Sequence, residues 1–492
     1  MDPIFQRAQL TTRRHFLKSC QMGIGATALT WLLGREQLAQ ALPPEAANPM
    51  SAKKPPNAAK AKHVIYLHMA GSPPQQDLFD PKPALKKHHM QPCPDQLLEV
   101  LKKERLAFID LSKSRPNLLG SPHAFSRHGQ AGIEISELLP NFAQCADDIT
   151  LVRSMHTDQF NHAPAQLLLY TGAPRFGGAS MGSWVTYGLG SENDNLPGFV
   201  VLISGGTDPS GGKSLWGSGF LPSVYQGVQC RTQGDPILFV SDPAGMSREV
   251  RRRSLDALRQ LNEAEYERLH DPETRTRISQ YELAFRMQMS VPDVMDMTGE
   301  PKHVQEDYGV EPGKESFANN CLLARRLVEN GVRFVQLFDY GWDMHGTSED
   351  NDLVTGLPRK CRNIDKPIAA LIRDLKQRGL FDETLIVWSG EFGRTSLNEA
   401  RNGSKLLGRD HHPHCASIWL AGAGVQRGLS YGQTDELGYF IAEGKVGVRD
   451  LQATILHLLG LEPFRFGYEY LGLRQRLIGP TDEGRVLHEL LT

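Results

Sequence analysis

The sequence predicts an α/β protein with a doubly wound, mostly parallel sheet flanked by helices. Short apolar runs without polar alternation, such as Val64-Ile65-Tyr66-Leu67, suit strands covered on both faces. Helical patterns from Ser316 to Asn330 and from Ile364 to Arg378 lead into such runs, which is the order a parallel sheet requires. Histidines and acids gather beside the runs, and open α/β sheets form their sites beyond the carboxyl ends of strands.

From the N-terminus, Thr12-Arg13-Arg14-His15-Phe16-Leu17-Lys18 precedes a moderately apolar stretch from Gly23 to Gly34, and Ala39-Gln40-Ala41 offers small residues for cleavage. Residues 1-41 therefore read as a twin-arginine export signal. The apolar run is shorter than the ~20 residues that span a bilayer, so no stable membrane span is expected in the mature chain. The expected location is periplasmic or otherwise extracytoplasmic, with the twin-arginine translocase as partner during export. That route carries folded cargo, so a metal could be inserted before export. Residues 42-62, rich in Pro, Ala and Lys, read as a linker, and a single domain is expected over 63-492.

With 492 residues and 40% apolar content, the chain can bury one large core or two moderate ones, and a formal charge of -2 gives no electrostatic reason to expect nucleic acid. Cys93, Cys145, Cys230, Cys321, Cys361 and Cys415 form no C-x-x-C pair and read as buried thiols. Strands are expected at Val64 to Leu67, Ile149 to Val152, Phe199 to Ile203, Val332 to Leu337, Thr384 to Trp388 and Ala416 to Leu420. Charged periodic segments from Ser247 to His270 and from Asp271 to Met289 read as a helical insertion around residues 247-290, without site-like clusters.

Carboxylate and imidazole are the side chains that hold Zn, Mn or Ca, and they recur here beside strands. Trp342-Asp343-Met344-His345-Gly346 places an acid and a histidine two residues apart on a loop, where both can face one ion; a loop hydrogen bond is the plainer alternative. Asp410-His411-His412-Pro413-His414 packs three imidazoles immediately before a strand, and His411 and His412 are expected at the site. In Gly390-Glu391-Phe392-Gly393-Arg394, Glu391 is expected to face the ion and Arg394 to bind an anionic substrate through its planar fork, unless the two simply pair. Asn161-His162 precedes a helix through Leu167 to Tyr170 that closes at Thr171-Gly172, so His162 is expected near a helix N-terminus, a place that favours anions. Asp77 is expected to be a ligand, against the simpler reading that it caps a turn. Asn161 and Ser72 are assigned to substrate contact.

The order of these segments resembles the alkaline phosphatase and sulfatase superfamily. More closely, Gly71-Ser72-Pro73, Asp77-Leu78-Phe79-Asp80-Pro81-Lys82-Pro83, Gly129-Gln130-Ala131-Gly132, Trp342-Asp343-Met344-His345 and Gly390-Glu391-Phe392-Gly393-Arg394-Thr395 are similar to the exported family known as domain of unknown function 1501, and the likeness covers nearly everything from His63 onward. The superfamily resemblance implies an alkaline phosphatase-like fold and a metal-dependent hydrolase. It places His162 where sulfatases carry the Cys or Ser of Cys-x-Pro-x-Arg, with Pro164 matching the proline, and so excludes formylglycine chemistry. His162 then stands as nucleophile, ligand or general acid. Ala70 replaces the superfamily's first aspartate and Phe392 replaces a histidine, which implies one divalent ion rather than a tight pair, with Asp77, Asp80 or His68 as nearby compensation. The expectation is an exported hydrolase acting on a small anionic phosphate or sulfate ester; the alternative is a non-catalytic, metal-stabilised binding or surface protein of the same fold.

Overall fold

The computed structural model describes residues 49-104, 108-112, 115-232, 236-237, 246-270, 272-480 and 484-492. The export signal expected over 1-41 lies outside them. Among the described residues, nine strands form the central sheet: β1 (His63–Ala70), β2 (Ile149–His156), β3 (Phe199–Ser204), β4 (Val228–Cys230), β5 (Phe334–Tyr340), β6 (Thr384–Ser389), β7 (Ala416–Ala421), β8 (Leu429–Tyr431) and β9 (Val446–Gly447). Their spatial order is β8-β2-β7-β6-β1-β5-β3-β4, with β9 also pairing with β2. β6, β1, β5, β3 and β4 run parallel, while β7 is antiparallel to both of its neighbours, β6 and β2.

Every residue of β1 is buried, because helices cover both faces of the sheet. Its side chains alternate between two cores: Ile65, Leu67 and Met69 join one, and Val64 and Tyr66 the other. The second core is closed by α1 (His162–Thr171) and α2 (Met181–Leu189). Next in the chain come α3 (Arg248–Leu269) and α4 (Pro272–Met295); α3 buries only Leu255, whereas the last turns of α4 send Met287, Val291 and Val294 into the first core. That core is completed by α5 (Phe317–Glu329) and α6 (Gly356–Gln377), and α7 (Val448–Leu458) returns to the second. Serine N-caps start two of these helices: Ser247 accepts from the Val250 N–H at 3.3 Å and Ser316 from the Asn319 N–H at 3.0 Å.

The stretch expected as a free linker is tied to the domain from Met50 onward. Lys53 N–H donates to the Leu189 carbonyl, Asn57 to Gly460, and Lys60 and Ala61 to Leu458, and Ala61 is buried in the second core with Met50 packed against it. Gly129 to Gly132 form the turn between Phe125–His128 and Ile133–Ser136, with Gly129 and Gly132 in the left-handed region. All six cysteines among the described residues are buried and free.

Candidate metal centre

β1, β5 and β6 end nearly level, since Ala70 pairs with Tyr340 and His68 with Ser389, and their loops therefore open on one rim. Asp343 and His345 follow β5, Glu391 follows β6, and His162 begins α1 after the loop that leaves β2. Asp410 and His411 precede β7 and reach the same rim because that strand runs the opposite way. Two close approaches require glycine. Gly71 sits at φ 107°, where an added Cβ would come within 2.6 Å of the Asp343 nitrogen, and a Cβ on Gly393 would lie 1.7 Å from the Cys415 carbonyl oxygen. The first lets β1 press against the Asp343 loop; the second lets Gly393–Arg394 pair with His411–His412.

Three imidazoles surround the Asp343 carboxylate. His345 Nε2 lies 2.9 Å and His411 Nε2 3.2 Å from Oδ1, and His162 Nε2 lies 3.4 Å from Oδ2. Each ring is anchored at its other nitrogen: His345 Nδ1 to Glu399, His411 Nδ1 to the Phe160 carbonyl at 2.8 Å, and His162 Nδ1 to Glu391 at 2.7 Å. Such anchoring holds each ring with its inner nitrogen toward Asp343, as second-sphere partners do for metal-bound histidines. His345 Nε2 is buried and makes no hydrogen bond. A tetrahedral ion with ligands at about 2.0–2.1 Å sets neighbouring ligand atoms roughly 3.3 Å apart, close to the spacing found here. His162, Asp343 and His411 form one group of ligand atoms within 4.8 Å of each other, and His345, Glu399 and Asp410 form a buried second.

Burial alone would raise the Asp343 carboxyl, but the Arg394 charge and the three facing imidazoles hold it far below the ordinary range. Burial opposes a charge on His162, yet hydrogen bonds to Asp343 and Glu391 push it up to about 9. His411 goes the other way, to about 3, since its burial outweighs the single hydrogen bond to Asp343 and the nearby Arg394 and His162 charges add to the effect. Phe392 packs its ring 5.0 Å from His162 and 4.6 Å from His411 and closes one side of the centre.

Of the residues predicted from sequence, His162, Asp343, His345, Glu391, Arg394 and His411 converge. Their roles differ from those expected in two cases. Glu391 accepts from His162, from Gln166 Nε2 at 3.0 Å and from the Gly71 N–H at 3.1 Å, and faces His68 Nε2 at 3.3 Å, so it is saturated behind His162 rather than turned to an ion. Arg394 is fully buried and donates to the Ser72 and Arg409 carbonyls at 3.1 Å, to the Gly71 carbonyl and to Asp343, which leaves it positioning Asp343 rather than facing a substrate.

The other four take no part in the cluster around Asp343. His412 points to the opposite face of its two-residue strand, its Nε2 bonded to the Tyr439 carbonyl at 2.6 Å. Asp77 is fully buried in a two-contact ion pair with Arg409, at 2.7 and 3.2 Å. Ser72 is fully buried, and its Oγ accepts from the Glu391 and Phe392 N–H groups at 3.0 and 3.1 Å, so it shapes the loop instead of touching substrate. Asn161 is exposed at the start of α1, and its side chain makes no capping bond.

Sequence reasoning missed Glu399, Gln166 and Phe108. Glu399 follows no strand and lies in no histidine-rich segment, which leaves it without a signal. The Phe108 ring lies 4.9 Å from His345 and 5.4 Å from His411 and covers the centre from above, its backbone N–H donating to Asp410 at 2.7 Å.

The family model described as "Protein of unknown function (DUF1501)" matches residues 61–491. No curated protein matches the chain. Among solved structures, the chain is similar to the PsFucS1 sulfatase from Pseudoalteromonas sp., at 11% identity over 82% of this chain and 68% of that one, with a TM-score of 0.36. It is also similar to the lipoteichoic acid synthase LtaP from Listeria monocytogenes, at 10% identity over 89% and 79% with a TM-score of 0.35. The alkaline phosphatase from the Antarctic bacterium TAB5 matches at 10% identity over 82% and 99%, with a TM-score of 0.33. Likenesses this remote identify no shared chemistry.

Proposed function

The chain belongs to the DUF1501 family of proteins of unknown function, and from that premise we propose that it is an exported, metal-dependent hydrolase of a small phosphate or sulfate ester. One observation carries the reading: three imidazoles aim their inner nitrogens at one carboxylate while their outer nitrogens are anchored. Asp343, His345 and His411 would hold a single divalent ion, and the buried, unbonded His345 Nε2 fits that assignment. Two imidazole nitrogens and a carboxylate suit Zn or Mn better than Ca, which takes oxygen ligands. When bound, the ion would polarise the ester's anionic oxygens and acidify a coordinated water.

The residues around it divide the remaining work. His162 is the most exposed of the three imidazoles, with 22% of its side chain accessible against 3% for His345 and 2% for His411, so it is the one presented to substrate. Glu391 holds its ring through Nδ1 and leaves Nε2 to carry a proton to or from the ester. The start of α1 offers backbone N–H groups to the anion, and the uncommitted Asn161 side chain stands beside them. Arg394 keeps Asp343 ionised.

The test is hydrolysis of generic aryl phosphates and sulfates, with metal content measured on the same samples. His162→Ala is expected to keep the metal and lose turnover; loss of the metal would instead make His162 a ligand. Bound metal with no turnover in the parent protein would establish the non-catalytic binder.

Metal affinity should depend on pH. Without an ion His162 holds its proton up to about 9, and a cation placed beside it disfavours that proton, while His411 is already neutral at any working pH. Affinity for Zn is therefore expected to rise with pH up to that value, by at most about tenfold per unit for one displaced proton, and then to level off. Calorimetry in buffers of different ionisation enthalpy should count about one proton released per ion at neutral pH.

A further inference from the structure

Far from the centre, a hairpin of Tyr468–Tyr470 and Leu473–Gln475 ends in a two-residue turn, Leu471-Gly472. Both turn residues have positive φ, 50° and 79°, the geometry of a type I′ turn in which Asn-Gly is the unstrained choice. Leucine here accepts an unfavourable backbone conformation and gains no burial, for Leu471 is 80% exposed and Leu473 65% exposed. Neither folding nor solubility explains that choice.

The exposed apolar surface extends beyond the hairpin. Phe220 packs against Tyr468 and Tyr470, with ring centroids 6.4 and 5.7 Å away. Its neighbour Gly219 abuts the Gly178 backbone, and the loop leading to Gly178 carries Phe176, itself 69% exposed. Phe220 and Gly219 thus link the hairpin tip to the loop of Phe176, and exposed apolar side chains gathered in this way mark an interaction site. Arginines edge it. Arg175 precedes Phe176, and Arg474 lies beside the turn with its guanidinium held by the Arg465 carbonyl rather than by a carboxylate. Glu469 is the only acid within the hairpin.

We infer that this tip is a peripheral docking element for an anionic lipid surface, with Leu471, Leu473 and Phe176 entering the headgroup layer and Arg175 and Arg474 meeting lipid phosphates. Aliphatic and aromatic side chains at a protruding turn, flanked by arginines, match the two contributions to interfacial binding, apolar burial and attraction to anionic lipid. The placement leaves the metal centre open to solvent: His162 begins α1, whereas the loop bearing Phe176 leaves its other end, after ten residues and roughly 15 Å of helix. The inference does not depend on the hydrolase reading.

Co-sedimentation of the purified protein with phosphatidylcholine vesicles, with and without phosphatidylglycerol, tests it. Binding is expected to the anionic vesicles and to weaken with salt. Leu471→Asn, which suits the turn, combined with Leu473→Ser should lower partitioning by about tenfold or more, the scale of withdrawing a leucine side chain from an apolar medium. Arg474→Gln should lower it roughly fivefold on anionic vesicles and leave neutral ones unaffected. Absence of partitioning to either vesicle, or partitioning unchanged in the leucine variant, would overturn the inference. Self-association removed by the same variant, without vesicle binding, would reassign the patch to contact between copies of this chain.

Discussion

Asp343→Ala is expected to strip the metal and to lower ester hydrolysis by at least roughly 100-fold, since loss of even an outer partner of a metal ligand costs 10–100-fold. Asp343 is the one group that all three histidines and Arg394 address. Its removal also leaves the fully buried Arg394 charge without its carboxylate, although the carbonyls of Gly71, Ser72 and Arg409 still accept from it. A loss of about 1–3 kcal/mol in stability should accompany the loss of metal. Elemental analysis and denaturant unfolding of the same preparation read both effects. Metal retained at full stoichiometry would remove Asp343 from the centre.

Asp77→Ala should act on stability alone. Arg409 and Asp77 are both inaccessible to solvent and meet through two contacts, at 2.7 and 3.2 Å, so truncating the acid strands a buried guanidinium. Breaking such a pair from one side costs about 3–5 kcal/mol, whereas exchanging both partners for apolar groups is often close to neutral. The single variant should therefore lower the unfolding midpoint sharply, the double variant Asp77→Ala with Arg409→Met should recover most of it, and protein that remains folded should bind metal normally. Metal lost from folded Asp77→Ala would restore this residue as a ligand, as its sequence context suggested.

The two aspartates show what the sequence could and could not convey. Strands were legible because burial on both faces produces unbroken apolar runs, and Asp343 and His345 because a short loop after such a strand must open on the rim. The direction of β7 was not legible, for a lone apolar run carries no polarity, yet that direction brings His411 to the centre. The histidine-rich segment marks His412 as strongly as His411, but neighbours in a strand point to opposite faces, and the two-residue ladder with Gly393–Arg394 sends His412 toward Tyr439. Asp77 misled for a different reason: its partner lies 332 residues away, a separation across which no spacing rule operates. Residue type marks Arg394 and Glu391 as site residues but does not reveal that backbone groups already satisfy their charges, which turns them inward.

The pairing of β1 with β5 and β6 joins residues 63–70 to residues near 334 and 384. A ribosome must therefore release most of the polypeptide before its first strand can find either neighbour, and long loop closure makes such assembly slow. His411, the last of the converging side chains to be synthesised, reaches the rim only when nearly all of the chain exists. Truncated translation products would thus lack the ion pocket altogether, and metal loading would report on completed synthesis.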